Sequence, residues 1–253
     1  MLIKQIISAN LQMDQRTTSE LFSVTKGFGA LVIGMSRSIQ DLSEERISIY
    51  VEKASGNFHI CQDVLLKDFI ALTTFGEDAI NNFDGKTFAM CEITEDGGYI
   101  SLNENETIKI QLSKIFRNDE FVLYGFEEPI ATHELTKFER KVMASETLTQ
   151  DYDLKGYDLL SLEKSSQLQE IQLTFDNGAV TTHLPQELEM FCRSVDSIKG
   201  VISSGTLMNE IPNRHIIPLK GIVSIKIKKE SGSLLNMHLR IDESDWQLYQ
   251  RNK

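Results

Sequence analysis

Residues 47–72 read ISIYVEKASGNFHICQDVLLKDFIAL, and residues 171–191 read IQLTFDNGAVTTHLPQELEMF. Each passage opens with apolar residues at every second position: Ile47, Ile49 and Val51 in one, Ile171, Leu173 and Phe175 in the other. Each then meets a glycine (Gly56, Gly178), resumes as a short extended run (Phe58 and Ile60, Val180 and Thr182) and ends in a short helical pattern. From Gly to Leu (Leu66, Leu188) is ten positions in both, and from Gly to Phe (Phe69, Phe191) thirteen in both; only the turn before the glycine differs, by two residues. Alternation with period two marks a strand with one face in a core and one in water. A return strand of about five residues, followed by one helical turn, puts Leu and Phe (i, i+3) on one face, where they close the end of a sandwich.

The ends of the two halves correspond as well. Ile108, Ile110 and Leu112, followed by Phe121 and Leu123, mirror Val223, Ile225 and Ile227, followed by Met237 and Leu239, and both runs finish on acidic residues, Glu127-Glu128 and Asp242-Glu243. Turn signals separate the strands at Ser55-Gly56-Asn57, Asp84-Gly85, Asp96-Gly97-Gly98, Asp176-Asn177-Gly178 and Ser231-Gly232. A repeat of roughly 120 residues is too long for a solenoid or propeller and suits two β-sandwiches in tandem. The pattern predicts an all-β chain with short helices: an N-terminal arm at 1–19, a first sandwich at 20–128, a linker at 129–147, a second sandwich at 148–243 and a tail at 244–253. Three helices are expected. One runs from Asp63 to Ile70 with Asp63 as N-cap, one starts at Pro185, and one spans Thr136 to Glu146 with Phe138, Val142 and Met143. Leu2 to Leu11 fits helix or strand equally.

A length of 253 residues allows one large domain or two small ones, and 41% hydrophobic content is ample for a packed core. Lys and Arg number 26 against 37 Asp and Glu, a net charge of -11. That balance argues against a protein wrapped in nucleic acid, because phosphate neutralisation needs basic clusters. Residues 1–128 hold 11 basic and 20 acidic residues and the remainder 15 and 17, so the first half presents the more negative surface. No run of about 18 apolar residues encodes a membrane-spanning helix. The longest apolar stretch, Phe28 to Met35, ends at Ser36-Arg37, and Gln12, Asp14, Gln15 and Arg16 interrupt the N-terminal segment, which is not read as a secretory signal. Cys61, Cys91 and Cys192 are odd in number and lack CxxC spacing, so all three are expected reduced and at least partly buried, with neither a disulfide framework nor a structural zinc.

Catalytic chemistry finds no motif. There is no GxSxG, GxGxxG, P-loop or HExxH. His59, His133, His183, His215 and His238 are scattered without HxH spacing, and His59 and His183 are expected to face solvent at strand ends. Asp151, Asp153 and Asp158, and Glu104 with Glu106, could pair as glycoside hydrolysis requires, but charged loops or exposed strand edges are the expectation. The loop Glu92 to Gly98 offers oxygen ligands for a structural Ca²⁺ without the EF-hand pattern. No catalytic, cofactor-binding or metal-binding residue is therefore assigned, and no enzyme is expected. Trp246 and Tyr249, in the tail Ser244 to Lys253, suit capping a barrel or lodging in a neighbouring subunit.

The strand, glycine turn, strand and short apolar helix quoted above, occurring once in each of two tandem sandwiches, resembles the double jelly-roll major capsid proteins. It is most similar to the small ones of tailless, membrane-containing icosahedral bacteriophages such as corticoviruses and finnlakeviruses. The resemblance is architectural over most of residues 20–243 and is carried by no strict motif. It implies two eight-stranded jelly-roll β-sandwiches standing upright on a capsid surface, homotrimers of pseudo-sixfold shape, and a virion protein made in the host cytoplasm. The implied partners are further copies of the chain in the capsid lattice, with penton and membrane-associated virion proteins, and no sequence-specific nucleic-acid contact. A second class, a tail-associated or carbohydrate-binding β-sandwich, would need exposed aromatic platforms, which one Trp and six Tyr support little.

Overall fold

The two quoted passages fold into the same hairpin and helix, at the same step of two equivalent barrels. The computed structural model describes residues 2–7, 16–75, 79–94, 97–116, 119–132, 134–194, 202–203, 206–207 and 214–241. The first half supplies β1 (Leu2–Ile7), β2 (Phe22–Val24), β3 (Ala30–Met35), β4 (Arg46–Glu52), β5 (Phe58–Leu65), helix α1 (Leu66–Thr73), β6 (Lys86–Glu92), β7 (Thr107–Ser113) and β8 (Glu120–Phe126). The second supplies β9 (Lys137–Met143), β10 (Thr149–Asp153), β11 (Leu159–Glu163), β12 (Leu168–Phe175), β13 (Val180–His183), helix α2 (Pro185–Ser194), β14 (Arg214–Pro218), β15 (Ile222–Lys229) and β16 (Leu235–Ile241).

In the first half one sheet has the order β1-β8-β3-β6 and the other β2-β7-β4-β5; in the second the orders are β9-β16-β11-β14 and β10-β15-β12-β13. Counted from the start of each half, both barrels therefore read one-eight-three-six and two-seven-four-five. Eight antiparallel strands in that order form the double Greek key of a jelly roll, with two sheets facing across a core. The fold is two tandem jelly-roll β-sandwiches. Outside these eight strands the first barrel adds Ile80–Phe83, which pairs with the outer edge of β6 through a turn at Asp84-Gly85, and a short parallel pair of Tyr99–Ile100 with Ala131–Thr132. Both turn residues have positive φ (50° and 72°), as a two-residue hairpin turn demands.

Gly56 and Gly178 land on equivalent turns, between β4 and β5 and between β12 and β13. Their φ values are 126° and 80°, and an added Cβ would meet nothing within 4 Å, so backbone conformation rather than crowding selects glycine. Leu66, Phe69 and Leu188 are fully buried, as the repeat predicts. The side chain of Phe191 lies outside the described residues, as do Trp246, Tyr249 and the tail.

The barrels have separate cores. Phe28, Ile33, Ile47, Ile49, Phe69 and Phe121 centre the first; Ile171, Leu173, Leu188, Ile225, Ile227 and Leu239 centre the second. The first core also takes in Phe138, Leu159 and Ile216 from the second half. These residues lie on the outer face of the sheet β9-β16-β11-β14, and α1 covers them. Every residue of α1 except Lys67 is buried, the condition of a helix enclosed on all sides.

Three expectations are corrected by strand pairing. Leu2–Ile7, placed in an arm outside the first barrel, is its first strand: Gln5, Ile6 and Ile7 stand opposite Val122, Phe121 and Glu120 on an otherwise open edge of β8. The linker at 129–147 contains β9, which replaces the helix expected over Thr136 to Glu146 and pairs with β16 along its whole length. Both faces of β9 are covered in part, Phe138 under α1 and Met143 in the second core, so its apolar residues do not alternate. Asp63 does not cap α1. It lies inside β5 at φ 53°, where the register against β4 slips and its N–H bonds Ser48 Oγ at 2.9 Å, a β-bulge.

Candidate functional site: the joint between the barrels and its open counterparts

The barrels meet along β5 and β9, which run parallel and share a single backbone pair, Phe138 opposite Cys61. Side chains supply the rest of the joint. The bulge in β5 turns the Asp63 carboxylate toward β9, where it accepts from Arg140 Nη1 at 2.8 Å and from Arg46 Nη1 at 3.2 Å. Phe69 of α1 meets Phe138 edge to face, ring centres 5.0 Å apart. Along the seam runs an open groove of about 480 Å³ lined by His59, Gln62, Asp63, Lys137, Glu139 and Arg140.

The centre of the joint is a buried charge. Asp68 projects from α1 onto the outer face of the second barrel's first sheet. Its Oδ1 accepts from Arg214 Nε at 2.7 Å and from Ser161 Oγ at 2.9 Å, and its Oδ2 lies 2.6 Å from His238 Nδ1. These three partners come from β14, β11 and β16. The N–H of Leu65 donates to His238 Nε2 at 3.3 Å, which leaves the ring proton on Nδ1, facing Asp68. Burial raises the Asp68 carboxyl, but His238 and Arg214 beside it outweigh that cost and hold it at about 2. The free N–H groups of the helix start find tertiary partners too, since Leu66 N–H donates to the Glu45 carbonyl at 2.7 Å. At the other end Arg240 Nη1 donates to the Leu72 carbonyl at 2.8 Å, while its Nε is held by Asp158 at 2.9 and 3.1 Å.

Among the described residues the same step in the second barrel meets no neighbouring barrel. Helix α2 buries Leu188, and Leu184 N–H donates to Glu187 Oε2 at 2.9 Å, a capping contact. Counted from the turn glycines, Asp68 and Met190 both stand at position twelve. Asp68 is fully buried; Met190 is 68% exposed. Strand β5 buries five of its eight residues, whereas β13, with Val180 exposed, buries none.

The first barrel has an open counterpart of its own. The outer face of β9-β16-β11-β14 lies under α1, but nothing in the described chain covers the outer face of β1-β8-β3-β6. Across it run two rows, Leu2-Tyr124-Val32-Met90 and Val122-Gly34-Phe88. Leu2 is 60% exposed and Phe126, on the same face, 47%. The Phe88 ring lies so close over Gly34 that a Cβ there would stand 2.6 Å from it, which makes a flat apolar shelf. Charges stay at the margin: Lys86 pairs with Glu120 at 2.6 Å at one end, and Lys26 with Glu127 at the other.

Of the carboxylates named from the sequence, Asp151, Asp153 and Asp158 do not converge, and Glu104 and Glu106 line one open groove together with Lys53. Asp158 is engaged by Arg240, Glu106 is buried 3.5 Å from Lys53 Nζ, Asp153 accepts from the Lys155 N–H, and Asp151 lies opposite Lys226 in the β10–β15 pair. His59 is exposed; His183 is half-buried, with Nε2 3.0 Å from Thr181 Oγ1. Among the described residues no three His, Cys, Asp or Glu side chains group as metal ligands; Glu95 and Asp96 of the acidic loop and His133 lie outside them. Cys61 and Cys91 are free and fully buried, and burial pushes the Cys91 thiol up to about 12, far from a reactive thiolate. Cys192 lies outside the described side chains. The joint residues Asp68, Ser161, Arg214 and His238 were not singled out from the sequence. The one local sign is an aspartate inside the apolar run Val64 to Leu72, between Leu66 and Phe69.

No family model matches the sequence, and no curated protein does. Among solved structures the chain is similar to the major capsid protein P2 of bacteriophage PM2, at 11% identity over 94% of this chain and 96% of that one, with a TM-score of 0.48. It is also similar to a chain of the Sulfolobus Turreted Icosahedral Virus, at 9% identity over 98% and 93%, TM-score 0.45. Similarity to the PBSX exported protein XepA is weaker, at 10% identity over 95% and 85%, TM-score 0.26. The tandem jelly-roll assignment rests on the strand orders of the two barrels.

Proposed function

We propose that the protein is a structural capsid subunit, not an enzyme, and that three copies close head to tail into a ring of six similar barrels which tiles an icosahedral viral shell. One observation supports this above the others. The joint that locks the second barrel to the first has two unmatched halves at the outer ends of the chain, α2 with β13 at one end and the outer face of β1-β8-β3-β6 at the other. Surfaces that differ and complement each other make heterologous contacts, which close into rings when the rotation permits. Two barrels per chain give six per trimer, an approximate hexagon from one gene product. The coat so formed places the protein in the virion, after synthesis in the host cytoplasm, with penton and membrane-associated proteins as its further neighbours. Light scattering on size-fractionated protein is expected to give a trimer, and images of the particle a pseudo-hexagonal capsomer. A chain that stays monomeric at high concentration and in its native particle, above all one that binds glycans, would overturn the capsid function in favour of a β-sandwich binding module.

A further inference from the structure

We infer that each contact between copies repeats the joint inside the chain with the polarity exchanged: α2 of one copy lies on the outer face of β1-β8-β3-β6 of the next, with Met190 where Asp68 would be. This rests on the ring proposed above and names the surface that closes it. The occupant is a second copy because the chain already contains the template. In that template, strand five of one barrel lies beside strand one of the next, and the helix after strand five covers the next barrel's first sheet. At the chain's ends the corresponding pieces are β13 with α2, and β1 with its sheet.

Polarity fits each helix to one face. Asp68 faces Arg214, Ser161 and His238. The open face offers Val32, Tyr124, Phe88 and Met90, with Val122 already buried in the isolated chain, without a charge among its described central side chains, and Met190 suits it. Exchanging the helices would bury Asp68 against apolar side chains, or set Met190 against Arg214 and leave that guanidinium only the more distant Glu163 carboxylate at 3.7 Å, and removing one partner of a buried charge pair is strongly unfavourable. The contacts therefore sort themselves: α1 stays on its own chain and α2 reaches for another.

Three variants of the full chain test this: Met190→Asp, Tyr124→Arg, and the two together, each read by sedimentation and by far-UV circular dichroism. Both single variants are expected to keep the wild-type spectrum, because both positions are solvent-exposed in the isolated chain, and to raise the concentration at which trimers dissociate by about a hundredfold or more. The double variant recovers at least about tenfold of that loss through the new charge pair. If the wild type is a trimer and Met190→Asp assembles as tightly, or if the double variant recovers nothing, this docking is wrong although the ring stands. If the wild type never leaves the monomer, ring and docking fall together.

Discussion

Helices α1 and α2 occupy the same place in two barrels of one topology, yet the first is enclosed and the second leaves Met190 in water. The difference lies in what each has to supply. Within a chain the neighbouring barrel is tethered, so α1 adds orientation more than association energy, and a hydrogen-bonded Asp68 with three fixed partners gives orientation. A buried ion pair is a weak source of net stability and a good source of register. Between chains nothing is tethered. In the proposed contact the apolar shelf of Val32, Tyr124 and Phe88 would offset the entropy of association, at about 25 cal/mol for each Å² of apolar surface removed from water. Duplication alone would give two equal joints; in the proposed ring, a methionine at the aspartate position, with different facing side chains, would separate a permanent joint from an assembly contact.

Substitutions rank that contrast. Phe69→Ala empties the space between the first core and Phe138 and is expected to cost roughly 3–5 kcal/mol in denaturant unfolding. An unchanged midpoint would place α1 outside the joint. Asp68→Asn keeps the side-chain shape but takes the nearer carboxylate from Arg214 and leaves it Glu163 at 3.7 Å, for a loss of about 3 kcal/mol. The same carboxyl sets a pH signature. Its folded pKa is depressed to about 2, so the stability it contributes is complete above its ordinary value near pH 4 and is lost as pH falls toward 2. Asp68→Asn should flatten the acid limb of the stability curve in that window, and a slope that persists would assign it to other carboxylates. Gly56→Ala and Gly178→Ala force a side chain into positive φ and are each expected to cost about 1–2 kcal/mol. Similar values would mark the turns as equivalent, and a harmless substitution at either would separate them. Met190→Ser should shift unfolding of the isolated chain by less than about 0.5 kcal/mol, the surface norm, because Met190 is exposed there.

The hairpin, glycine and helix of each barrel were legible because β4, β7, β12 and β15 keep one face in a core and one toward water, so their apolar residues alternate. Strands covered on both faces lose that mark. Leu159–Glu163 reads LLSLE and Arg214–Pro218 reads RHIIP, runs with no period of two, because the second core lies on one side and α1 on the other. For the same reason β9 passed for a helix: Phe138, Val142 and Met143 fit a helical face only when the element packed over β9 is unknown. The joint itself was not legible. Asp68, Ser161, Arg214 and His238 are spread over 170 residues of sequence and meet only through the pairing of β16 with β11 and β11 with β14.

The placement of Phe138, Leu159 and Ile216 in the first core has a consequence for the order in which the molecule comes into being. A ribosome delivers α1 long before Ile216, and at about 5–20 residues per second the interval runs from several seconds to about half a minute. Through that interval the first barrel has its own strands but no lid for one side of its helix, so it cannot reach its final form ahead of the second. The nascent chain is one cooperative unit rather than two beads on a string. A half-finished polypeptide thus lacks both the settled first barrel and the α2 end that would recruit a neighbour in the proposed ring, so assembly there would draw on complete chains alone.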